Sequence, residues 1–387
     1  MADAATPDWH IGLNAHLLSG RPNYRGAGIH QYVRNLLAHL PSVEPSLRFT
    51  AMVGPDAPSP PMAILRSRLP TARPIVRIFW EQLIQPWVAR RAGFDLFHSM
   101  AFVIPLAYRG PQVVTVYDLS FELAPERFSA ARRSYLSTFT ALSCRRAQRV
   151  LAISENTRAD VIRLYGVPLE RVDVAYPGIG PQFRPYPQGA VQEFRSRSAL
   201  PEKFVLYLGT IEPRKNLELL IRAFAHLQLP EVKLVLAGGR GWMYKEILRL
   251  VEYLQLNGSV IFPGYVAARD LPLWYNAASV FAYPSVYEGF GIPPAEAMAC
   301  GTPVVVADTS SIPEVVGQGA LRVPADSVEA LAEALHQALV DSTVIQCLRE
   351  RGPIQASRFT WMATARATAA CYRRALAAMV AVEEAPR

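Results

Sequence analysis

Short apolar segments alternate with helical patterns along this chain, and the alternation occurs in two successive blocks. In the first block, strand-like runs lie near Ile11, after Ser46, around Phe97, and from Gln112, Arg149 and Val172. Helical patterns lie between them, with apolar residues spaced three and four apart at Ile29, Val33, Leu36, Leu37 and Leu40. The second block contains KFVLYLG, KLVLAGG, SVIFPG, SVFAYPS and TPVVVAD, each followed by a helical segment. Apolar strands interleaved with helices predict parallel sheets covered on both faces, so we predict an α/β chain of two doubly wound domains in tandem.

A proline-rich segment separates the two blocks. Residues 176–190 contain four prolines in fifteen positions, which is typical of a linker. We therefore place a first domain at residues 1–185 and a second at residues 186–358; a chain of 387 residues is long enough for two cores. The tail from Phe359 has the pattern of a long amphipathic helix, which either caps the second domain or returns to the first.

The composition excludes several classes of protein. No run approaches the roughly 18 to 20 apolar residues of a membrane span, and the first residues lack the pattern of a signal peptide, so we expect a cytoplasmic protein. The four cysteines include no CxxC pair, which argues against a disulfide framework and against a zinc site. We expect them to be buried free thiols.

Positive charge is concentrated in the first half of the chain. Residues 1–200 hold 23 Arg, no Lys and 14 Asp or Glu, a balance of +9, whereas residues 201–387 hold 17 Lys or Arg and 18 Asp or Glu, a balance of −1. This asymmetry predicts an anionic partner for the first half, either nucleic acid or a membrane surface with acidic lipids.

The segment EGFGIPPAEAMACG, residues 288–301, has the strongest pattern of a binding site. Glu288 follows a strand, Gly289 and Gly291 allow a close approach of backbone to a ligand, and two prolines can open a helix. The free N–H groups of such a helix start favour an anion. Glu296 lies about one turn inside the helix, where it can reach a ligand hydroxyl. The alternative is a helix start with solvated acids.

Two further loops carry basic residues or glycines. GTIEPRKN places Arg214 and Lys215 between a strand and a helix, where they could hold a diphosphate or simply face solvent. RGAGIHQYVRNLL places Gly26 and Gly28 after the first strand, but the full GxGxxG is absent, which disfavours nicotinamide binding.

Two polar groups end predicted strands of the first block. Tyr117 and Asp118 follow QVVTV; the aspartate can cap a turn or accept hydrogen bonds from sugar hydroxyls. His98, at the end of FDLFHS, is either a satisfied polar residue or a ligand contact. In parallel sheets ligands bind outside the carboxyl ends of strands, where all these motifs lie.

With these motifs in place, the chain resembles the GT-B glycosyltransferases, specifically the retaining family 4. The resemblance covers almost the whole chain and rests on GAGIHQYVRNLL, VYDLSF, ISENTRADVIRLYGVP, YLGTIEPRKNLELLIRAF, the long segment from FPGYVAARD to ACGTPVV, and SSIPEVVGQGAL. The EGFG segment is its most specific part. The family implies two Rossmann-like domains facing across a cleft, an N-terminal one for the acceptor and a C-terminal one for the nucleotide sugar. It also implies that the helix of residues 359–387 crosses back to the N-terminal domain.

The resemblance assigns the donor diphosphate to Arg214 and Lys215, with the backbone N–H of Gly28. Many family members have a Gly-Arg pair after the first C-terminal strand, where this chain has Gly209 and Thr210. One phosphate-binding arginine is then absent, and Arg214 would substitute for it.

The same resemblance assigns the nucleotide ribose to Glu296. The transferred sugar would be bound by Glu288 and by the backbone of Gly289, Phe290 and Gly291.

A departure from the family pattern lies near the transferred sugar. Asp118 falls in the family's His-Asp segment, but this chain has Tyr117 in place of the histidine. This change alters the contact to a distal sugar hydroxyl or the choice of donor. We assign Tyr117 and His98 to acceptor or sugar binding and Asp118 to the catalytic group with Glu288.

The chemistry expected is hexosyl transfer with retention of anomeric configuration. Breaking the bond between sugar and diphosphate builds negative charge on the leaving phosphate, so Arg214, Lys215 and the helix start would stabilise the transition state. No DxD-like pair ends a strand, so we expect no metal and no cofactor beyond the nucleotide sugar. The leaving phosphate itself would accept the proton.

The identities of donor and acceptor rest on weaker patterns. The PRKN and YDLSF segments favour GDP-mannose, with UDP-glucose as the alternative, and a glycan or polyprenyl-linked acceptor in polysaccharide synthesis. Residues 77–94 mix tryptophans with arginines, which predicts either an interfacial helix on anionic lipid at the inner face of the cell membrane or a buried helix with a basic edge. Two alternative functions are compatible with this fold. One is a nucleotide-sugar epimerase, and the other is a non-catalytic sugar-nucleotide sensor whose basic half binds nucleic acid. The sequence contains no recognised nucleic-acid-binding motif that would support the sensor.

Overall fold

The computed structural model describes residues 9–18, 27–71, 73–124, 128–239, 241 and 244–383. The chain divides into two compact units. The first unit comprises Met1–Gly178 and Thr360–Arg387, and the second unit comprises Ile179–Phe359. The boundary at residues 178 and 179 lies inside the proline-rich segment 176–190.

The first unit contains a parallel sheet of seven strands in the order β3-β2-β1-β4-β5-β6-β7. The strands are β1 His10–Asn14, β2 Arg48–Val53, β3 Ala63–Arg66, β4 Leu96–Ser99, β5 Gln112–Val116, β6 Arg149–Ala152 and β7 Val172–Val174. The central strands are buried over almost their whole length, as expected for a sheet covered on both faces.

The helices of the first unit connect these strands. They are α1 Ala27–Val43, α2 Pro74–Phe79, the π-helical turn Trp80–Ile84, α3 Gln85–Arg91, α4 Ser120–Leu123, α5 Ala130–Arg146, α6 Glu155–Tyr165 and a 3-10 turn at Leu169–Arg171. In α1 the predicted apolar face is present, because Val33, Leu36, Leu37 and Leu40 are buried. In α6, Ser154 caps the first turn and Gly166 ends the helix in the left-handed conformation.

The last helix, α15 Trp361–Glu383, packs within the first unit. The Tyr372 hydroxyl lies 2.6 Å from Nδ1 of His98 in β4, and the Thr364 hydroxyl donates to the carbonyl of Tyr176 at 2.6 Å. The C-terminal helix therefore completes the layer over the first sheet rather than capping the second.

The second unit contains a parallel sheet of six strands in the order β10-β9-β8-β11-β12-β13. The strands are β8 Lys203–Leu208, β9 Val232–Ala237, β10 Val260–Gly264, β11 Val280–Tyr283, β12 Val304–Ala307 and β13 Leu321–Val323. Two parallel sheets wound with helices confirm the predicted α/β class and the two Rossmann-like domains.

The helices of the second unit alternate with these strands. They are α7 Gln188–Arg197, a 3-10 turn at Pro213–Lys215, α8 Leu217–His226, α9 Tyr244–Tyr253, α10 Leu271–Ala277, α11 Ile292–Ala299, α12 Ile312–Val316, α13 Val328–Val340 and α14 Ser342–Ala356. No helix within the described ranges is both long and apolar enough to cross a membrane.

Each sheet has a point where the strand order reverses. In the first sheet it lies between β1 and β4, and in the second between β8 and β11. The connections that leave two such strands diverge to opposite faces and open a crevice at the carboxyl edge, which is where ligands bind in doubly wound sheets.

Candidate active site

The reversal point of the second sheet brings two predicted loops together. The loop after β8 ends in the 3-10 turn that carries Arg214 and Lys215, and the loop after β11 carries Glu288. The Val286 N–H donates to the Arg214 carbonyl at 2.9 Å, and Arg214 Nη1 donates to the Tyr287 carbonyl at 3.1 Å. The two loops are therefore joined through their backbones as well as their side chains.

The Glu288 carboxylate is the centre of this cluster. Its Oε1 accepts hydrogen bonds from Lys215 Nζ at 2.6 Å, from the Ser285 hydroxyl at 2.5 Å and from the Tyr283 hydroxyl at 3.0 Å. Its Oε2 accepts from Arg214 Nη1 at 2.6 Å. The Lys215 ammonium also donates to the Tyr283 hydroxyl at 2.7 Å.

Opposing effects act on the ionisation of this buried group. Burial alone would raise the pKa of Glu288, but Lys215 and Arg214, with the hydrogen bonds from Lys215 and Ser285, lower it to about 2. Burial lowers the pKa of Lys215, and the Glu288 carboxylate opposes this change. Glu288 is thus a fixed anion paired with two cations.

A third loop, which the sequence analysis did not assign to the site, holds the backbone around Glu288. It follows β12 and supplies three hydroxyl groups. The Ser310 hydroxyl accepts from the Glu288 N–H at 2.9 Å, and the Ser311 hydroxyl lies 2.9 and 3.0 Å from the carbonyls of Glu288 and Phe290. The Thr309 hydroxyl donates to the Ser285 carbonyl at 2.9 Å. The segment TSS after an apolar strand was the available signal, because hydroxyl side chains commonly bond to nearby backbone.

The helix α11 begins where the sequence predicted. Gly291 is its N-cap in the left-handed conformation, with φ at 99°, and a Cβ there would lie 2.5 Å from Ile312 Cδ1. The left-handed backbone favours glycine at this position, whereas the contact with Ile312 could be relieved by a movement of that side chain. Pro293 lies in the first turn, where its missing N–H is no loss.

Glu296 lies within α11 and has a different environment from Glu288. It is buried, and its Oε2 accepts a hydrogen bond from the Tyr275 hydroxyl at 3.0 Å. Burial raises the pKa of Glu296 to about 8, although the Tyr275 hydrogen bond acts in the opposite direction. Burial therefore favours the protonated form of this side chain near neutral pH.

The loop at Gly209 and Thr210 is packed against glycines that the sequence analysis did not single out. A Cβ at Gly238 would lie 2.0 Å from the Gly209 carbonyl oxygen, and one at Gly241 would lie 1.9 Å from the Ile211 carbonyl oxygen. The Tyr207 hydroxyl donates to the Thr210 carbonyl at 3.0 Å. The path of this loop is therefore set by backbone contacts that only glycine permits.

The strand-end residues of the first unit make internal contacts. His98 is fully buried, and its Nε2 lies 2.8 Å from the Thr115 hydroxyl while its Nδ1 meets Tyr372. The Tyr117 hydroxyl donates to the Met100 carbonyl at 2.8 Å. These contacts match the satisfied-polar interpretation of His98, and we leave both residues out of the site proposed below.

Asp118 and Gly28 lie nearer the surface of the first unit. The Asp118 Oδ1 accepts from the Ser120 N–H at 2.9 Å, which is the turn-capping arrangement that the sequence left open. Gly28 is exposed in the first turn of α1, and a Cβ there would meet nothing within 4 Å. Gly26, the other glycine of that predicted motif, lies outside the described residues. Across the described parts of the chain, no three His, Cys, Asp or Glu side chains group together in a way that could hold a metal ion.

Known proteins match both units of the chain. A family model described as glycosyl transferases group 1 matches residues 190–353, and one described as glycosyltransferase family 4 matches residues 26–183. The O-antigen chain mannosyltransferase B of Escherichia coli is 33% identical over 282 residues, which are 72% of this chain and 74% of that protein. This chain belongs to the family 4 glycosyltransferases.

Solved structures agree with this family 4 assignment at the level of the fold. Sucrose-phosphate synthase from Thermosynechococcus elongatus superimposes with a TM-score of 0.75 at 23% identity, covering 96% of this chain and all (100%) of that one. Anabaena HepE, in complex with UDP and glucose, gives a TM-score of 0.73 at 21% identity, covering 94% and 98% of the two chains. The predicted GT-B fold is confirmed.

Within this family 4 glycosyltransferase, the predicted site residues fall into two sets. Those of the second unit lie in the segments that follow β8 and β11, the two strands at the reversal point of its sheet: Gly209, Thr210, Arg214, Lys215, Glu288, Gly289, Phe290, Gly291 and Glu296. Those of the first unit, Gly28, His98, Tyr117 and Asp118, lie on a separate sheet and helix. The chain is a glycosyltransferase.

Proposed function

We propose that the protein is a retaining hexosyltransferase that transfers mannose from GDP-mannose to a glycan or lipid-linked saccharide during polysaccharide synthesis. The observation that supports it most is the buried Glu288 anion held by Lys215 and Arg214 beside the start of α11. The similarity to a mannosyltransferase of O-antigen chains supports mannose as the sugar. UDP-glucose is the alternative donor, and it is favoured by the solved relative that holds UDP and glucose.

In this proposal the two cations serve different purposes. Arg214 is the more exposed, with 22% of its side-chain surface accessible against 8% for Lys215. Arg214 would therefore meet the donor diphosphate directly, and its planar fork suits a phosphate group. Lys215 would fix the Glu288 carboxylate and add positive potential as the leaving phosphate gains charge. In this proposal no metal is required, because these cations and the N–H groups at the start of α11 compensate the negative charge of the diphosphate.

The two glutamates would bind different parts of the donor. Glu288 would accept hydrogen bonds from hydroxyls of the transferred sugar, and its low pKa keeps it an acceptor at any physiological pH. Glu296 would bind the ribose hydroxyls. The first unit would bind the acceptor, and the leaving phosphate would take the proton of the attacking hydroxyl.

A panel of donors tests this proposal. GDP-mannose, UDP-glucose, UDP-N-acetylglucosamine and dTDP-rhamnose are added to the wild type and to Glu296→Ala, and the thermal midpoint is measured. We expect GDP-mannose to raise the midpoint of the wild type and to raise that of the variant less. Stabilisation by UDP-glucose alone would make UDP-glucose the donor, and an equal rise of the midpoint in the wild type and in the variant would remove Glu296 from its role.

Product analysis distinguishes the remaining alternatives. Incubation of the donor without acceptor should leave the sugar configuration unchanged, whereas an epimerase would convert it. Incubation with a polyprenyl-linked saccharide should give a product whose new linkage keeps the anomeric configuration of the donor, as read by NMR. A non-catalytic sensor would give neither product.

We also propose that the first unit contacts anionic lipid at the cytoplasmic face of the membrane. The support is an exposed apolar stripe along α2, the π-helical turn and α3. Its members are Ile75, Phe79, Leu83 and Trp87, which are 83%, 51%, 63% and 61% exposed. Residues 57–94 contain six arginines and a single acid, Glu81, whose side chain is only 12% exposed. An apolar stripe flanked by cations is the pattern of an interfacial helix.

The π-helical turn helps to keep the stripe on one face. In an α-helix of about 3.6 residues per turn, each four-residue step rotates a side chain by about 40°. The turn Trp80–Ile84 has more residues per turn, because its hydrogen bonds span five residues, and this reduces the rotation between Phe79 and Leu83.

Flotation with liposomes tests this contact. We expect the wild type to float with vesicles of phosphatidylcholine and phosphatidylglycerol, and a Leu83→Gln, Trp87→Gln variant to float much less. The matched control changes Leu248 and Tyr253, exposed by 38% and 78% in the second unit, to glutamine. Equal flotation on pure phosphatidylcholine would contradict the proposed role of charge.

A further inference from the structure

The first unit contains a cavity of about 470 Å³ whose lining includes none of the predicted site residues. It is formed by the end of α5, the start of β6, the 3-10 turn Leu169–Arg171 and one face of α15. Arg149 and Val172 are the first residues of their strands, so the cavity lies at the amino edge of the sheet. Asp118, in contrast, follows β5 at the carboxyl edge.

Arginine side chains dominate the lining of this cavity. Five take part: Arg145, Arg146, Arg149, Arg171 and Arg374. The acids beside them are Glu170, in the lining, and Asp173, which pairs with Arg149 and Arg374. Five guanidinium groups against two carboxylates leave a formal charge of +3 around one small volume. Such a concentration of like charge is unfavourable unless an anion compensates it.

Two of these guanidinium groups, those of Arg146 and Arg171, are held in place by backbone carbonyls, which do not neutralise their charge. Arg171 donates to the carbonyls of Gln148, Arg145 and Ala147, and Arg146 donates to those of Leu106 and Tyr108. These bonds use three of the five N–H donors of Arg171 and two of those of Arg146. Arg146 and Arg171 are therefore fixed in orientation and retain donors for a ligand.

We propose that this arginine cavity binds a phosphate group. Arginine forks match phosphate oxygens in pairs, and a group with two negative charges would compensate most of the local excess. The volume admits a diphosphate or a lipid headgroup. The cavity belongs to the first unit, whereas the cations proposed for the donor diphosphate belong to the second, so this is a second anion site with its own residues.

One contact connects the arginine cavity with the segment that carries the apolar stripe. The Leu106 carbonyl accepts from Arg146 in the cavity, and the Leu106 N–H donates to Gln82 Oε1, in the π-helical turn, at 3.0 Å. The phosphate has two candidate sources. It belongs either to the headgroup of a membrane lipid bound beside the stripe or to a free phosphorylated molecule. The experiment separates these sources.

A pair of variants of α15 isolates the cavity. Ala378 lines it and Ala377 does not, and both are exposed. Ala378→Glu places a carboxylate in the cavity without removing an arginine, and Ala377→Glu makes the same change in charge one residue away. In calorimetric titration with inorganic pyrophosphate, we expect Ala378→Glu to bind about tenfold more weakly than Ala377→Glu. Any pyrophosphate bound in the second unit contributes equally to both.

Vesicle flotation supplies the second arm of the test. If pyrophosphate separates the variants but phosphatidylglycerol vesicles do not, the ligand is a free phosphorylated molecule. If the vesicles separate them, the ligand is a lipid headgroup. Arg374→Gln, compared with the exposed Arg366→Gln on the same helix, repeats both measurements without a new acid. The proposal is overturned if, within each pair of variants, the cavity variant and its control bind pyrophosphate equally and float equally with vesicles. This outcome does not depend on the result of the donor panel.

Discussion

Two glutamates eight positions apart, Glu288 and Glu296, have pKa values shifted in opposite directions. Both are buried, but two cations contact Glu288 and a single tyrosine hydroxyl contacts Glu296. Desolvation raises the pKa of any buried acid, and nearby positive charge and hydrogen bonds to the carboxylate oppose it. The same residue type therefore serves as a fixed anion at one position and as a neutral acid at the other.

Removing the charge of Glu288 should destabilise the second unit. In Glu288→Gln, Lys215 would remain buried without an anionic partner, and breaking such a pair typically costs about 3 to 5 kcal/mol. We expect a lower urea midpoint for the second unit and loss of transferase activity. Glu212→Gln is the control, because Glu212 also pairs with Arg214 but is 29% exposed and should contribute less than about 1 kcal/mol. Equal losses in the two variants would contradict this account.

Glu296 should make stability depend on pH in a specific direction. Its pKa is 4.5 in the unfolded chain and about 8 in the folded protein, so the folded state keeps a proton that the unfolded state has released. This contribution is complete below pH 4.5 and is lost as pH rises to about 8, at up to about 1.4 kcal/mol per pH unit.

Glu296→Gln removes this dependence, because glutamine does not titrate in that range. We measure the free energy of unfolding of the variant and of the wild type at pH 5, 6, 7 and 8. The value for the variant should exceed the value for the wild type, and the difference should grow with pH. A margin that stays constant between pH 5 and pH 8 would show that Glu296 is already ionised in the folded protein.

Sequence reasoning located these residues but not their contacts. The position of Glu288 after a strand and before a glycine pair was enough to predict a site, because backbone geometry is encoded locally. Its pairing with Lys215 joins positions 73 residues apart, and the two meet only because β8 and β11 are neighbours in the sheet. Strand order of this kind is not visible in local spacing.

At the scale of elements, two helices offer a matched comparison of glycine function. Gly28 and Gly189 are each the second residue of a helix, α1 and α7, and a Cβ at either would meet nothing within 4 Å. Alanine at each position should therefore raise stability slightly, by about 0.5 to 1 kcal/mol.

Activity should separate these two substitutions. If the backbone at Gly28 approaches the donor phosphates, a methyl group there obstructs the ligand, and Gly28→Ala should show a raised KM for the donor of about tenfold or more. Gly189→Ala should keep wild-type kinetics. Wild-type kinetics in both variants would remove Gly28 from the donor site.

Two strands and one helical turn were not predicted from the sequence, because each lacks a distinctive local pattern of apolar residues. β3 and β13 are sheet-edge strands of four and three residues, and each includes exposed positions. Such strands lack the continuous apolar run that marked the central ones. The π-helical turn Trp80–Ile84 was also missed, because apolar residues every four positions fit an α-helix as well.

At the scale of the whole molecule, the two units differ in how the chain builds them. The second unit is one continuous segment, whereas the first unit combines the first 178 residues with the last 28. The first unit therefore depends on both ends of the chain. Its helix α15 contributes buried Trp361, Tyr372 and Leu376, together with an ion pair from Arg373 to Glu44 at 2.7 Å.

Removing α15 should therefore unfold the first unit and leave the second folded. A chain ending at Phe359 loses two large buried aromatic side chains, each worth about 3 to 5 kcal/mol, against a domain stability of about 5 to 15 kcal/mol. Hydrogen exchange should show loss of protection in β1 and β4 and retained protection in β8 and β11. A chain ending at Glu383 keeps the helix and serves as the control. Because the donor contacts proposed for Arg214, Glu288 and Glu296 lie in the second unit, the shorter chain should still be stabilised by the donor, although it transfers no sugar. Protected β1 and β4 amides in the shorter chain would show that the first unit needs only its N-terminal segment.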